Sequence, residues 1–293
     1  MKRKIDDRLK RSLLAFRLIS YKMMKGVFRS SFIGKGLEFN SIREYQAEDD
    51  ARNIDWNVTA RANKPFVKTY KEEHNINLFL CLDFSHSMYE AFNGVSLDDV
   101  AKDIAFIFSL LSFNNSIPIG SILFDGECSN IFMPSSSKVN VFKMLKNIDN
   151  KINSKKTGTA FVDAIKKTYA VLKERSFILI ISDFNVVNYE NYLAKLGAKH
   201  DVVCVRLESS INYELAKVGT IICKDYESDF DMIVPTLSPL FIKKRKEDYI
   251  KDIHLWKKIC LKAHAYPLLI NIGEDIVPPF CSFFESYNNN IRL

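Results

Sequence analysis

Three short segments of this chain carry residue types from which a binding or reactive centre can be built. Asp83-Phe84-Ser85-His86-Ser87 follows the apolar run Ile76-Asn77-Leu78-Phe79-Leu80-Cys81-Leu82. A carboxylate and two hydroxyls at alternate positions of a loop can all turn to one side. Such hard oxygen donors suit Mg2+ or Mn2+ and suit zinc or copper poorly. Three oxygens leave an octahedron incomplete, so further donors are expected from elsewhere. Thr159 stands in Thr157-Gly158-Thr159, where a loop enters a helix, and Asp183 closes the apolar stretch from Phe177 to Ser182. The competing reading of Asp83 to Ser87 is a polar turn whose serine caps the next helix.

Other chemistries find fewer of the groups they need. Ser85 lacks the Gly-x-Ser-x-Gly context of a hydrolase nucleophile and has no identifiable base beside it. His74, His200, His254 and His264 are dispersed, and His86 occupies a loop position that turns away from the oxygen donors. No catalytic residue is therefore assigned. No GxxxxGK[ST] phosphate loop occurs, which excludes a nucleotidase of that class. A Mg2+-dependent phosphoryl or nucleotide hydrolase with Asp83 as nucleophile or ligand is the alternative function, although only Lys155 and Lys156 stand near Thr159 to clamp a phosphate. The six cysteines are scattered with no CxxC pair, so neither a zinc site nor a disulfide framework is expected.

The elements that must position these groups follow from hydrophobic periodicity. Apolar runs ending at Asp83 and Asp183, with further runs at 117–124, 201–206 and 266–272, read as buried strands. Helical spacing appears over 97–111, 138–152, 159–173, 189–198, 243–263 and 276–287. Apolar strands alternating with helices define an α/β fold with a mostly parallel sheet covered on both faces. In such sheets functional groups gather at the carboxyl ends of strands, where Asp83 and Asp183 both stand.

Ahead of the sheet, Leu9, Leu13, Phe16, Ile19 and Met23 recur with helical spacing from Arg8 to Met24. Residues 34–74 read as an irregular, β-containing lobe. The net charge of +7 is concentrated at the start: the first thirty residues hold ten basic side chains against Asp6 and Asp7. Such a segment is a solvated basic helix in the simpler reading, and in the other a contact with an acidic partner, nucleic acid or, weakly, an anionic membrane surface. The aromatic and glycine pattern of nucleic-acid modules is missing, so no nucleic acid is expected. The most apolar stretches fall short of the roughly 20 residues a bilayer helix needs. No secretory leader is read either, which points to the cytoplasm, if need be at the periphery of the inner membrane.

Asp-x-Ser-x-Ser after a first strand, a later Gly-x-Thr helix entry and a later strand-terminal Asp resemble the metal-ion-dependent adhesion site of von Willebrand factor A domains. The resemblance implies that Asp83, Ser85, Ser87 and Thr159 hold a divalent ion, with Asp183 the distal carboxylate acting through water. Upstream, Gly34-x-Gly36-x-Glu38-Phe39, Arg43-x-Tyr45, Asp49-Asp50-x-Arg52-x-Ile54-Asp55-Trp56 and Ala60-Arg61 resemble the signature of the bacterial DUF58 family. That family places such a stretch directly before a von Willebrand A-like domain. It implies a lobe over 1–75 and a doubly wound, von Willebrand A or Rossmann-like domain over 76–293. It also implies a non-enzymatic adaptor for a MoxR-type AAA+ ATPase, gripping an acidic residue of a protein ligand through the ion in a chaperone-like or assembly role. Glu48 replaces the family's usual glycine before Asp49, so the local turn is expected to differ. Physically, Arg43, Arg52 and Arg61 beside Glu38, Asp49, Asp50 and Asp55 predict an ion-pair network pinning the lobe, with Trp56 its core anchor.

Overall fold

Four strands too apolar to face water on either side form the centre of the protein, and the chain around them alternates helix and strand. A computed structural model describes residues 15–23, 37–46, 49, 54–62, 64–72, 76–89, 91–92, 94–151, 160–209, 219–224 and 231–290. Helix α1 spans residues 15–23. Strand β1 (Leu37–Glu44), helix α2 (Trp56–Ala62) and strand β2 (Phe66–Glu72) follow, with β1 and β2 antiparallel. Next come β3 (Asn77–Asp83), a 3-10 turn (His86–Tyr89), the short pair β4 (Ala91–Phe92) and β5 (Val95–Ser96), and α3 (Leu97–Asn115). The chain continues through β6 (Ile119–Phe124), β7 (Cys128–Ser135), α4 (Lys138–Asp149), α5 (Phe161–Val171), β8 (Ser176–Ser182), α6 (Glu190–Gly197) and β9 (Asp201–Glu208). A hairpin, β10 (Thr220–Lys224) and β11 (Asp231–Pro235), precedes α7 (Pro239–Lys262), β12 (Ala265–Asn271) and α8 (Val277–Asn290).

The main sheet runs β12-β9-β8-β3-β6-β7, parallel from β12 to β6 and antiparallel at β7. Its strands bury alternate residues on opposite faces, as the period of two requires. Leu78, Leu80, Leu82, Phe177, Leu179 and Ile181 enter one core, with α1, α3, α4 and α8 over them. Phe79, Cys81, Ile178, Ile180 and Cys204 enter the other, under α5, α6 and α7. Cys81 behaves as a small hydrophobe there, its thiol pushed up to about 12 by burial. Ala15, Ile19 and Met23 recur every fourth residue and are buried in the first core, so the described part of the N-terminal helix docks on the sheet domain.

Chain order explains where a site can form. After β3 the chain builds outward through β6 and β7, then returns to β8 on the other side of β3. Two neighbouring strands whose connections leave in opposite directions open a crevice at their carboxyl ends. Asp83 and Asp183 border that crevice.

Several elements differ from the sequence reading. Cys128–Ser135 is the antiparallel edge strand, although its mixed Ser, Asn and Pro composition carries no strand signal. Gly120 admits it: a Cβ there would lie 2.5 Å from the Phe132 carbonyl oxygen, and the β6–β7 register shifts at that point. Helix α4 stops at Asp149 rather than reaching residue 152. Trp56 is 70% exposed and anchors no core, a correction to its expected role. It is the first residue of α2, a helix with no buried residue, whereas Val67 is buried among the described side chains of the ribbon.

Candidate metal centre

The site grows from the end of β3. The backbone ladder with β6 continues one residue past the strand, Phe84 N–H donating to the Phe124 carbonyl at 2.7 Å. This holds the loop start while Phe84 itself is buried. Asp83 is fully buried. Its Oδ1 accepts the Ser85 N–H at 2.8 Å, which turns the chain sharply and brings Ser85 and Ser87 to the same side. The two serine hydroxyls lie 3.2 Å apart.

Asp183 arrives from β8, the strand beside β3. Between the carboxylates sits Ser182, whose hydroxyl donates to Asp83 Oδ2 at 2.6 Å and lies 3.5 Å from Asp183 Oδ1. Phe184 takes a left-handed backbone (φ 57°), and its N–H donates to Ser182 Oγ at 3.0 Å. The Asn185 N–H donates to Asp183 Oδ1 at 3.1 Å. Burial, then the charge of Asp183, pushes the Asp83 carboxyl up to about 7, against the hydrogen bonds from Ser182 and Ser85.

The neighbouring acids are handled differently. Asp98 pairs with Lys102 at 2.9 Å and the buried Asp125 with Lys151 at 2.9 Å. Lys102 also lies 5.7 Å over the Phe84 ring. Among the described residues, Asp83 and Asp183 have no Lys or Arg ion-pair partner. Two adjacent carboxylates, one buried, are left without a cation where the next two each have one. Buried charge without a partner is costly. That imbalance, with hydroxyl oxygens beside it, is what a hard divalent ion would offset, and the donor types present fit Mg2+ or Mn2+. No cluster of three or more His, Cys, Asp or Glu suited to a metal occurs among the described residues, so hydroxyls would have to complete the donor set.

The structure thus brings together Asp83, Ser85, Ser87 and Asp183. Thr159 lies outside the described residues. The next residue, Ala160, donates its N–H to the Asp125 carbonyl at 2.7 Å, tying the entry of α5 to the end of β6. Sequence reasoning missed Ser182 and the Asp125–Lys151 pair. A serine immediately before a strand-end aspartate was the one available signal for the first. The second joins residues distant in sequence and carried none.

In the N-terminal ribbon, Arg43 grips Asp49 with two nitrogens, at 2.8 and 2.6 Å, and holds the Asp49 carboxyl below its ordinary range. Asp55 caps α2, its Oδ1 accepting from Asn57 N at 3.0 Å and Val58 N at 3.3 Å. The Tyr45 N–H donates to the Pro65 carbonyl at 2.9 Å, and Arg61 is exposed in the last turn of α2. Gly36, Asp50 and Arg52 lie outside the described residues, as does the side chain of Glu38. Of the expected ion-pair network, the Arg43–Asp49 pair is present among the described residues.

A mixed α/β chain with a mostly parallel six-stranded sheet and an acid-hydroxyl crevice is the class of protein defined so far. The family described as "Protein of unknown function DUF58" matches residues 41–250, and the chain belongs to that family. Uncharacterized proteins of Mycobacterium bovis and Mycobacterium tuberculosis are each 24% identical over 232 residues, covering 76% of this chain and 72% of theirs. Among solved structures, an aerotolerance-related membrane protein from Bacteroides fragilis is similar, with 15% identity and a TM-score of 0.47. That match covers 74% of this chain and 98% of the other. The conserved hypothetical protein BatB from Bacteroides thetaiotaomicron gives 16% identity, a TM-score of 0.44 and coverage of 74% and 97%. Among the described residues no helix is long and apolar enough to cross a membrane.

Proposed function

We propose that the chain is a non-enzymatic binding module of the von Willebrand factor A type, which grips an acidic residue of a protein partner at the Asp83 crevice through a divalent ion. One observation carries this reading: Asp83 and Asp183 face each other across Ser182 with no basic partner among the described residues, while Asp98 and Asp125 beside them are each neutralised by lysine. Asp83, Ser85 and Ser87 would hold the ion directly, with Thr159 a further ligand and Asp183 a more distant carboxylate. Bound there with few charged ligands, Mg2+ or Mn2+ supplies an electrophilic position open to a partner's carboxylate.

The chain's own residues do the positioning. Ser182 orients Asp83, and the Ser85 amide sets the turn that aligns the hydroxyls. The strand order 3-2-1-4-5-6, counted along the chain within the main sheet, is the doubly wound arrangement, which supports the Rossmann-like assignment. The partner proposed is a MoxR-type AAA+ ATPase, in an assembly or chaperone-like role.

Co-purification tests the reading. The ATPase should be retained by wild type in Mg2+ and released by EDTA, and Asp83→Ala should fail to retain it. Equal retention by the variant, or turnover of a phosphate ester that depends on Asp83, would overturn it.

A further inference from the structure

Helix α7 presents its outer face to solvent along its whole length. Inward it buries Ile253, Trp256 and Cys260. Outward it places Lys244, Lys251, Lys258 and Lys262 at spacings of seven, seven and four residues, which align on one side of a helix. All four are exposed, as are Leu240 (82%) and Leu261 (63%) on the same side. The helix carries eight basic against three acidic residues. Lys251 lies 3.4 Å from Asp248, while Lys258 and Lys262 have no carboxylate partner among the described residues. Twenty-four residues make a straight contact about 36 Å long.

We infer that this face is a docking surface for an anionic phospholipid bilayer. Two features select a lipid surface over another polyanion. Basic side chains share the face with the exposed Leu240 and Leu261, with Glu247 and Asp248 between Lys244 and Lys251, and a bilayer interface accepts lysines and leucines together, the leucines entering the acyl boundary while lysines reach back to headgroups. A phosphate backbone would leave the leucines in water. The basic residues on the outer line are lysines, point charges without the planar fork that reads phosphates and bases in pairs. The contact is electrostatic and reversible, each lysine adding modestly to attraction by an anionic leaflet. It lies on the opposite face of the sheet from α1, because α7 packs in the second core and α1 in the first.

Vesicle co-sedimentation of the full chain tests it, with phosphatidylcholine vesicles against an equal mixture of phosphatidylcholine and phosphatidylserine. Wild type should sediment with the mixed vesicles alone and be released by salt. The triple variant Lys251→Gln, Lys258→Gln, Lys262→Gln should bind them on the order of 100-fold more weakly, with an unchanged melting temperature because all three residues are exposed. Leu261→Ser should weaken binding by a smaller factor. Undiminished binding by the triple variant would overturn the inference and move the contact elsewhere on the chain. Absence of vesicle binding, or equal binding to phosphatidylcholine alone, would also overturn it. So would tighter lysine-dependent binding to duplex DNA than to vesicles at the same ionic strength, which would make the face a nucleic-acid surface.

Discussion

Ser182 donates its hydroxyl to Asp83 across the β3–β8 pair at 2.6 Å, joining residues 99 positions apart at the crevice where the sheet reverses direction. The bond is buried, and Ser182 in turn accepts the Phe184 amide, so one hydroxyl fixes both the carboxylate and the backbone that follows it. Replacing Ser182 with alanine leaves a buried carboxylate and a buried amide short of a partner. Ser182→Ala should therefore lower stability by about 1–3 kcal/mol in urea unfolding without metal. It should also weaken Mg2+ binding on the order of tenfold, as loss of a ligand-orienting group does. Unchanged values in both measurements would remove Ser182 from the site.

Asp83→Asn removes a charge that is buried and faces Asp183. Without metal the variant should melt no lower than wild type, because the substitution removes a repulsion and keeps the shape. Saturating Mg2+, at 100 times its dissociation constant, should stabilise wild type by about 2.7 kcal/mol, roughly 5 °C for a chain of this length. The variant should show no such rise. A parallel rise in both proteins would place the ion elsewhere.

His200 gives the fold an acid limit. It is 3% exposed, and neither ring nitrogen has a hydrogen-bond partner among the described residues. Burial, then the charge of Lys199, lowers its pKa to about 4, with Asp201 opposing. The folded pKa lies below the unfolded one, so the unfolded chain binds the proton more tightly between the two values. Stability from this group is present above about pH 6.5 and is lost as pH falls toward 4, by on the order of 3 kcal/mol. Urea titrations across that window should show the loss, and His200→Phe should flatten it. An unchanged slope in the variant would assign the acid sensitivity to other groups.

The two tryptophans should behave oppositely. Trp56, exposed at the start of α2, should tolerate alanine within about 0.5 kcal/mol. Trp256, 2% exposed and packed 5.5 Å from the Phe184 ring, should cost about 3–5 kcal/mol when truncated. Because Phe184 follows Asp183 directly, Trp256→Ala should also weaken the Mg2+-induced rise in melting temperature. A large loss at Trp56 would mean that the ribbon is anchored through it after all.

The four inner strands were legible because each is buried on both faces and so reads as a short apolar run, while the partly exposed edge strand β12 still carries Leu268, Leu269 and Ile270 in succession. Asp83 and Asp183 stood out because a carboxylate ends each of two such runs. Helices α3 to α8 were legible to within a few residues from periodicity alone. Edge strand β7 was not, since half of it faces solvent and its partner strand, not its own composition, specifies it. The hairpin β10–β11 escaped for a related reason: its two strands pair with each other and not with the main sheet. Trp56 misled because size and apolarity favour burial on average, while its position as the first residue of a helix with no buried face decided otherwise.

What the sequence by itself determined was the parallel α/β core and the donor types of the crevice, because both depend on residue chemistry read locally along the chain. Only the tertiary structure decided that Ser182 joins the two carboxylates, that Lys102 and Lys151 neutralise the neighbouring acids but not this pair, and that α7 turns its lysines and leucines outward together. Those facts depend on how each segment is placed against the others, not on residue types alone. They are set by strand order and helix rotation, which arise from burying the whole chain at once.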